Sequence, residues 1–321
     1  MSAPEKLNIE SAQIPVIVIV GPTASGKTAL SLKLAEKLPV EIVACDSRTI
    51  YRRMDIGTAK PSAKEQLLVR HHLLDVADVD QVYTAANYKE EATKAIDDIR
   101  ARGKYPIVCG GTGLYARALL EGFSIPAVAP NIELRNQLNA LAEEQGNNFL
   151  FEKLQALDTV TAQRVNPNDR FRVVRAIEVS LALGKPFSEA ATKNAPPYPT
   201  IWIGMGVKER QYIKGLIEHR FDEQVNAGLM DEVRGLLADY GQTRALLNAV
   251  PYKEAIAYLA GEISIEQARE LSLIHNYQLA RRQLMWFRTN ERINWFMVDT
   301  ESRENIFSDV LNLIFKFHQS I

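Results

Sequence analysis

Near the start of the chain, Gly21-Pro22-Thr23-Ala24-Ser25-Gly26-Lys27-Thr28 has the types and spacing of a phosphate cradle, G-x-x-x-x-G-K-[ST]. Its glycines let the backbone curl until successive N–H groups point at one anion. The helix expected next adds positive potential at its N-terminus. Lys27 contributes a point charge and Thr28 a hydroxyl able to ligate Mg²⁺. Further on, Asp46-Ser47-Arg48-Thr49 places a carboxylate behind another apolar run, where it serves as a general base or only as a helix cap. The following stretch, residues 51–61, holds Arg52, Arg53 and Lys60, and reads equally as ligand-facing or as a solvated charge run. His71-His72 has no third ligand at metal spacing, which points to a structural use and away from zinc.

These groups need a frame to bring them together. Residues 14–20 form a β-branched run of the kind found in a strand covered on both faces of a parallel sheet. A helix over 29–38, ended by Pro39, should follow the phosphate cradle. The next strand, 40–45, then delivers Asp46 to its C-terminal end. A helix over 84–102 leads to a third buried strand, 105–109, which opens into Gly110-Gly111-Thr112-Gly113 and an apolar helix reaching Leu120. Strands alternating with helices imply an α/β fold: a P-loop core with a parallel sheet flanked by helices. From 131 to 192 only helical patterns remain, bounded by Pro126, Pro130, Pro196, Pro197 and Pro199, before a short strand at 201–207 and helical sequence over 208–290. The organisation predicted is a core of 1–124 and 200–321 with a helical C-terminal region, carrying a helical insertion over 125–199.

The composition narrows the chemistry. At 321 residues, with 46% hydrophobic and 24% charged, the chain can bury a sizeable core. Its 38 Lys+Arg balance 39 Asp+Glu to a net charge of -1, which excludes a globally basic coat but not local basic patches. Cys45 and Cys109 each end a β-branched run and read as buried thiols, with no disulfide between them. Residues 1–13 lack the features of a secretory leader, and no apolar run approaches the ~20 residues that span a bilayer. A soluble, cytoplasmic protein is expected. The absence of N-K-x-D, and of an Asp ending the third strand, argues against a GTPase or a plain nucleotide hydrolase. A P-loop kinase acting on a small molecule or nucleotide stays open on the cradle alone.

Taken in order, these residues resemble the tRNA dimethylallyltransferase family, also called isopentenyl-diphosphate:tRNA transferases. The likeness runs from about residue 15 to 295. It rests on GPTASGKT (21–28), DSRTIYRRMDIGTAKP (46–61), HHLLD (71–75) and GGTGLY (110–115). It continues through NPNDRFRVVRAIEV (166–179), RFDEQVNAGLMDEV (220–233), YLAGEIS (258–264) and ARRQLMWFR (280–288). The resemblance implies transfer of a dimethylallyl group from dimethylallyl diphosphate to N6 of adenine 37, beside the anticodon of tRNA. Mg²⁺ would be the cofactor and the enzyme would work as a monomer. It implies that residues 21–28 and Arg220 hold the diphosphate, that Asp46 is the general base, and that Thr23, Lys27 and Arg220 complete the catalytic set. The tRNA anticodon stem-loop is then contacted by Asp46, Ser47, Arg48, Thr49, Thr112, Arg135, Phe171, Arg172, Val173, Val174, Arg175, Arg281, Arg282, Gln283 and Arg288. Trp286 and Phe287 fit the core better than a stacking platform on helix periodicity. The sequence departs from the family's usual residues at Thr49 (Gln), Pro251-Tyr252-Lys253 (Gly-Tyr-Arg) and Tyr277 (Thr). Asn248 and Leu216 stand where some members carry arginine. None of these is in the catalytic set, so the chemistry is expected to persist while tRNA affinity or choice changes.

Overall fold

A computed structural model describes residues 14–126, 128–192 and 194–319. The leader reading of residues 1–13 therefore lies outside the described residues. The chain divides into two compact units, one of 1–119 with 198–321, the other Leu120–Pro197.

The first unit begins with β1 (Val16–Val20), α1 (Lys27–Ala35), β2 (Val40–Ala44), α2 (Ala63–Leu68), β3 (His71–His72), α3 (Ala85–Ala101), β4 (Tyr105–Gly110) and α4 (Gly113–Leu120). The second unit is helical, with α5 (Ile132–Gln145), α6 (Asn147–Leu157), α7 (Thr159–Ala162), α8 (Arg170–Leu183) and α9 (Phe187–Ala190). The chain returns to the first unit through β5 (Thr200–Gly206), α10 (Arg210–Asn226), α11 (Leu229–Tyr240), α12 (Arg244–Leu247) and α13 (Tyr252–Leu259). It ends with α14 (Ile265–Phe287), β6 (Ile293–Met297) and α15 (Arg303–Gln319).

The six strands form one sheet in the order β3-β2-β4-β1-β5-β6, and every pairing is parallel. β1 lies inside it, its five residues fully buried, as its unbroken β-branched run requires. One apolar core joins the sheet to α1 and to Ile306, Val310 and Ile314 of α15. A second gathers Ile50, Tyr51 and Met54 with α10, α11 and Tyr252 of α13. In the second unit a separate core forms from α5, α6 and α8 around Leu154 and Val173.

Two strands depart from the sequence expectation. The sequence reading assigns no element at β6 or at β3. β6 pairs only with β5, and β3, of two residues, only with β2. Such edges are half-exposed and lack the apolar run that marks an inner strand. His72 does hold structure: its Nε2 lies 2.7 Å from Glu41, which also takes Arg102 (2.6 Å) and Lys104 (2.8 Å). Burial pushes the Glu41 carboxyl up, but the hydrogen bonds from Lys104, His72 and Arg102 outweigh it and hold its pKa at about 2.

Candidate active site

The C-terminal ends of β1, β2 and β4 open into a cleft with about 1070 Å³ of empty space, the position where open parallel sheets bind ligands. The phosphate loop forms its floor. Gly26 precedes α1 with no capping side chain, so the first N–H groups of that helix remain for an anion. Lys27 is fixed across the loop by donating to the Pro22 carbonyl at 2.6 Å. Burial lowers its pKa to about 8. Thr28 lines the cleft one residue further on.

Arg220 enters from α10. One guanidinium nitrogen donates to Thr23 Oγ1 at 2.8 Å, the other to the Thr58 carbonyl at 3.0 Å. Both partners are neutral. Burial lowers the arginine's pKa and the nearby Asp46 carboxylate raises it in part, leaving a desolvated cation beside the cradle. Asp46 follows β2; its Oδ1 accepts the Arg48 N–H at 2.8 Å in a tight turn, so it caps no helix. The cleft thus holds Thr23, Lys27, Thr28, Asp46 and Arg220 together, five residues the sequence singled out.

Its remaining walls are built by other residues that the sequence singled out and by some it did not. Gln283, grouped by resemblance with the tRNA-contacting arginines, faces inward, and its Oε1 accepts the Thr23 N–H at 2.8 Å. Helical geometry explains this: two residues along a helix turn by about 200°, so Gln283 and Arg281 point opposite ways. Gly111 makes room, since a Cβ there would lie 2.2 Å from Gln283 Nε2. Phe287 is core, whereas Trp286 is half-buried. Thr49 is buried in the cleft wall with Oγ1 lacking a partner. His71 also lines the cleft. Its Nδ1 lies 2.8 Å from the Val69 carbonyl, a pure acceptor, which fixes the proton there and leaves the buried Nε2 as an unpartnered acceptor. Burial lowers its pKa. The reading of one or both histidines as structural is met by His72, held at Glu41. Cys109 is half-buried in the same wall and Cys45 wholly buried. Burial raises their pKa values to about 11 and about 12, so neither supplies a thiolate.

Residues 51–61 are not one solvated run. Arg52 and Arg53 face outward onto Asp78 and Asp239, while Lys60 is buried against Asp55, Asp75 and the Tyr51 carbonyl. At the cleft mouth, Thr112 Oγ1 accepts the Ser47 N–H at 3.0 Å and Arg48 donates to the Asn248 carbonyl at 2.7 Å. Arg281 and Arg282 are exposed on α14, and Arg288 is exposed at its C-terminal cap.

Within the second unit the expected tRNA-contacting residues diverge. Phe171 is 66% exposed and Arg172 exposed beside Asp169. The side chains of Val173 and Val174 lie in the core of this unit. Arg135 and Arg175 are held by the buried Glu178 at 2.7 and 2.5 Å.

The model of one protein family, IPP transferase, matches residues 49–290. The chain belongs to the IPP transferase family. It is 41% identical over 282 residues to the tRNA dimethylallyltransferase of Gloeothece citriformis, covering 88% of this chain and 91% of that one. Against the tRNA dimethylallyltransferase of Dictyoglomus turgidum it is 40% identical over 304 residues, covering 94% and 93%. The crystal structure of the full-length tRNA isopentenylpyrophosphate transferase from Bacillus halodurans superposes with a TM-score of 0.69 at 32% identity, over 96% of this chain and 99% of that one. A eukaryotic dimethylallyltransferase acting on tRNA shares the fold, with a TM-score of 0.74 at 24% identity over 94% of this chain and 80% of that one. As a family member, this chain is a transferase.

The Thr28 hydroxyl in the cleft suits a hard divalent ion such as Mg²⁺, which takes few protein ligands and shares substrate phosphates. Among the described residues no group of three His, Cys, Asp or Glu side chains could hold a metal alone. No described helix is long and apolar enough to cross a membrane.

Proposed function

We propose that this enzyme moves a dimethylallyl group from dimethylallyl diphosphate to N6 of adenine 37 in the tRNA anticodon loop. The observation that carries the reading is Arg220. It is a buried cation whose hydrogen bonds, among the described residues, go to a hydroxyl and a carbonyl, and it is set beside a phosphate cradle. Its charge is uncompensated by a direct ion pair, so a diphosphate completes the site.

As the allylic C–O bond breaks, negative charge builds on the departing diphosphate oxygens. Lys27, the α1 N–H groups and Arg220 are already oriented toward that charge, which makes them more effective in the transition state than in the ground state. Mg²⁺ bound by Thr28 would neutralise further phosphate charge. The adenine amino group is a weak nucleophile because its lone pair is delocalised. The new C–N6 bond forms as the N6 proton passes to the Asp46 carboxylate, and diphosphate leaves with the bonding electron pair. Thr23, fixed by Gln283 and Arg220, positions the reacting groups. The acceptor base must leave its stack to reach this depth. The exposed Phe171 and Arg172, with Arg281, Arg282 and Arg288, supply stacking and phosphate contacts of the type that unpaired RNA loops need. The enzyme acts as a monomer in the cytoplasm on this reading.

The test is mass spectrometry of nucleosides from tRNA incubated with the enzyme, Mg²⁺ and dimethylallyl diphosphate. An adenosine gaining one C5H8 unit is expected. ATP-dependent phosphorylation of a small acceptor, with no such adenosine, would overturn the reading in favour of a kinase.

A further inference from the structure

The loop over residues 55–58 is gripped by Gln224, which lines the cleft, and from behind by Glu232 and Tyr252, which do not. Glu232, on α11, accepts three successive backbone N–H groups: Asp55 at 3.0 Å and Ile56 at 2.7 Å on Oε2, and Gly57 at 3.2 Å on Oε1. Tyr252 donates its hydroxyl to the same Oε1 at 2.6 Å. Gln224 closes the other side, its Nε2 donating to the carbonyls of Ile56 and Gly57 at 2.9 Å each. The Tyr252 ring packs so near that a Cβ on Gly57 would lie 2.5 Å from it. Only glycine fits there.

Three consecutive N–H groups converging on one point make an anion nest. Here the protein's own carboxylate fills it. The next carbonyl, Thr58, is the acceptor that holds Arg220, whose other nitrogen binds Thr23 in the phosphate loop. A continuous chain of hydrogen bonds therefore runs from Glu232 through the loop to Thr58, Arg220 and Thr23.

We infer that Glu232 is a positioning residue for the diphosphate site: it sets the Thr58 carbonyl, and through it the guanidinium of Arg220. This rests on the reading of Arg220 as a diphosphate ligand. Without the carboxylate, three N–H groups lose their acceptor and the loop must rotate to find water, carrying the Thr58 carbonyl away. Arg220 then keeps its charge but loses its aim.

The experiment is calorimetric binding of inorganic diphosphate with Mg²⁺ to the full chain, beside tRNA binding by the same preparation. Glu232→Ala is expected to weaken diphosphate about tenfold, the scale of one charged hydrogen-bond set lost through a neighbour, and to leave tRNA affinity within about twofold. Acetate replaces the deleted Cγ and carboxylate, so tens of millimolar acetate should restore most of the loss in Glu232→Ala and do nothing to the wild type. Tyr252→Phe, which removes one donor and keeps the ring on Gly57, should lower diphosphate affinity by only about twofold to fourfold. Unchanged diphosphate affinity in Glu232→Ala would overturn the inference. So would a parallel loss of tRNA binding without acetate rescue, which marks a general folding defect. Failure of the wild type itself to bind diphosphate would instead strike the reading of the cleft.

Discussion

Two groups of arginines show how differently one side chain can be used in this molecule. In the cleft of the first unit, Arg220 is buried and its partners are a hydroxyl and a carbonyl. In the second unit, Arg135 and Arg175 are also partly buried, but both end on the Glu178 carboxylate. A guanidinium held by neutral acceptors has its orientation fixed and its charge left over. One held by a carboxylate has spent its charge on the fold. The difference separates a binding residue from a structural one more surely than exposure does. Arg172 is also paired, with Asp169 at 3.2 Å, but that pair lies in solvent and leaves the guanidinium open to a ligand.

The largest effect that would break this comparison is at Arg220. Arg220→Ala should lower kcat by about 10²–10³-fold, the usual loss for one preorganised donor on a developing anion. Steady-state kinetics showing less than a threefold change would place the arginine with the structural pair. Arg175→Ala is the converse case. It should cost about 1–3 kcal/mol of stability by leaving Glu178 with one charged partner fewer, read as a fall in thermal midpoint, with kcat unchanged. The pH dependence sharpens the same distinction at Lys27. Burial lowers its pKa from 10.5 to about 8, so the free enzyme loses this charge as pH rises through about 8. Diphosphate affinity should therefore fall about tenfold between pH 7 and pH 9, and Lys27→Gln should flatten the profile. The same depression makes the unfolded chain bind more protons here between pH 8 and 10.5. In that window the lysine's effect on stability thus becomes more favourable as pH rises. Arg172→Ala should have the smallest effect: stability within about 0.5 kcal/mol, tRNA affinity modestly weaker, and a shallower salt dependence by about one phosphate contact. An unchanged salt slope would mean that this arginine meets only water.

Much of the first unit was legible because its signals are local. The run over 14–20, the cradle with Lys27 and Thr28, and Asp46 behind β2 sit where strand–loop–helix logic places them. Arg220 could be named only through resemblance, since nothing in its own helix marks it. Orientation about a helix axis separated Gln283 from Arg281 and Arg282. The pattern ARRQ carries that rotation, yet without knowing which face is buried it cannot say which residue turns inward. Glu232, Gln224 and Tyr252 were silent for another reason. Glu232 and Gln224 hydrogen-bond backbone atoms some 170 residues away, with Tyr252 donating to Glu232, and backbone partners leave no trace in side-chain types. His71 and His72 share a name and adjacent positions, but alternation along a strand sends one to the cleft and the other to Glu41.

The bond from the Thr23 N–H to Gln283 joins positions 260 residues apart, and β1 is flanked by β4 and β5. During synthesis, then, the phosphate loop emerges early with its sequence complete and its geometry absent. The central strand waits for residues 200–206 to gain its second neighbour, and Thr23 waits for α14 to gain its acceptor. A nascent chain halted before residue 276 carries the whole cradle motif but lacks one wall of the cleft that gives it meaning.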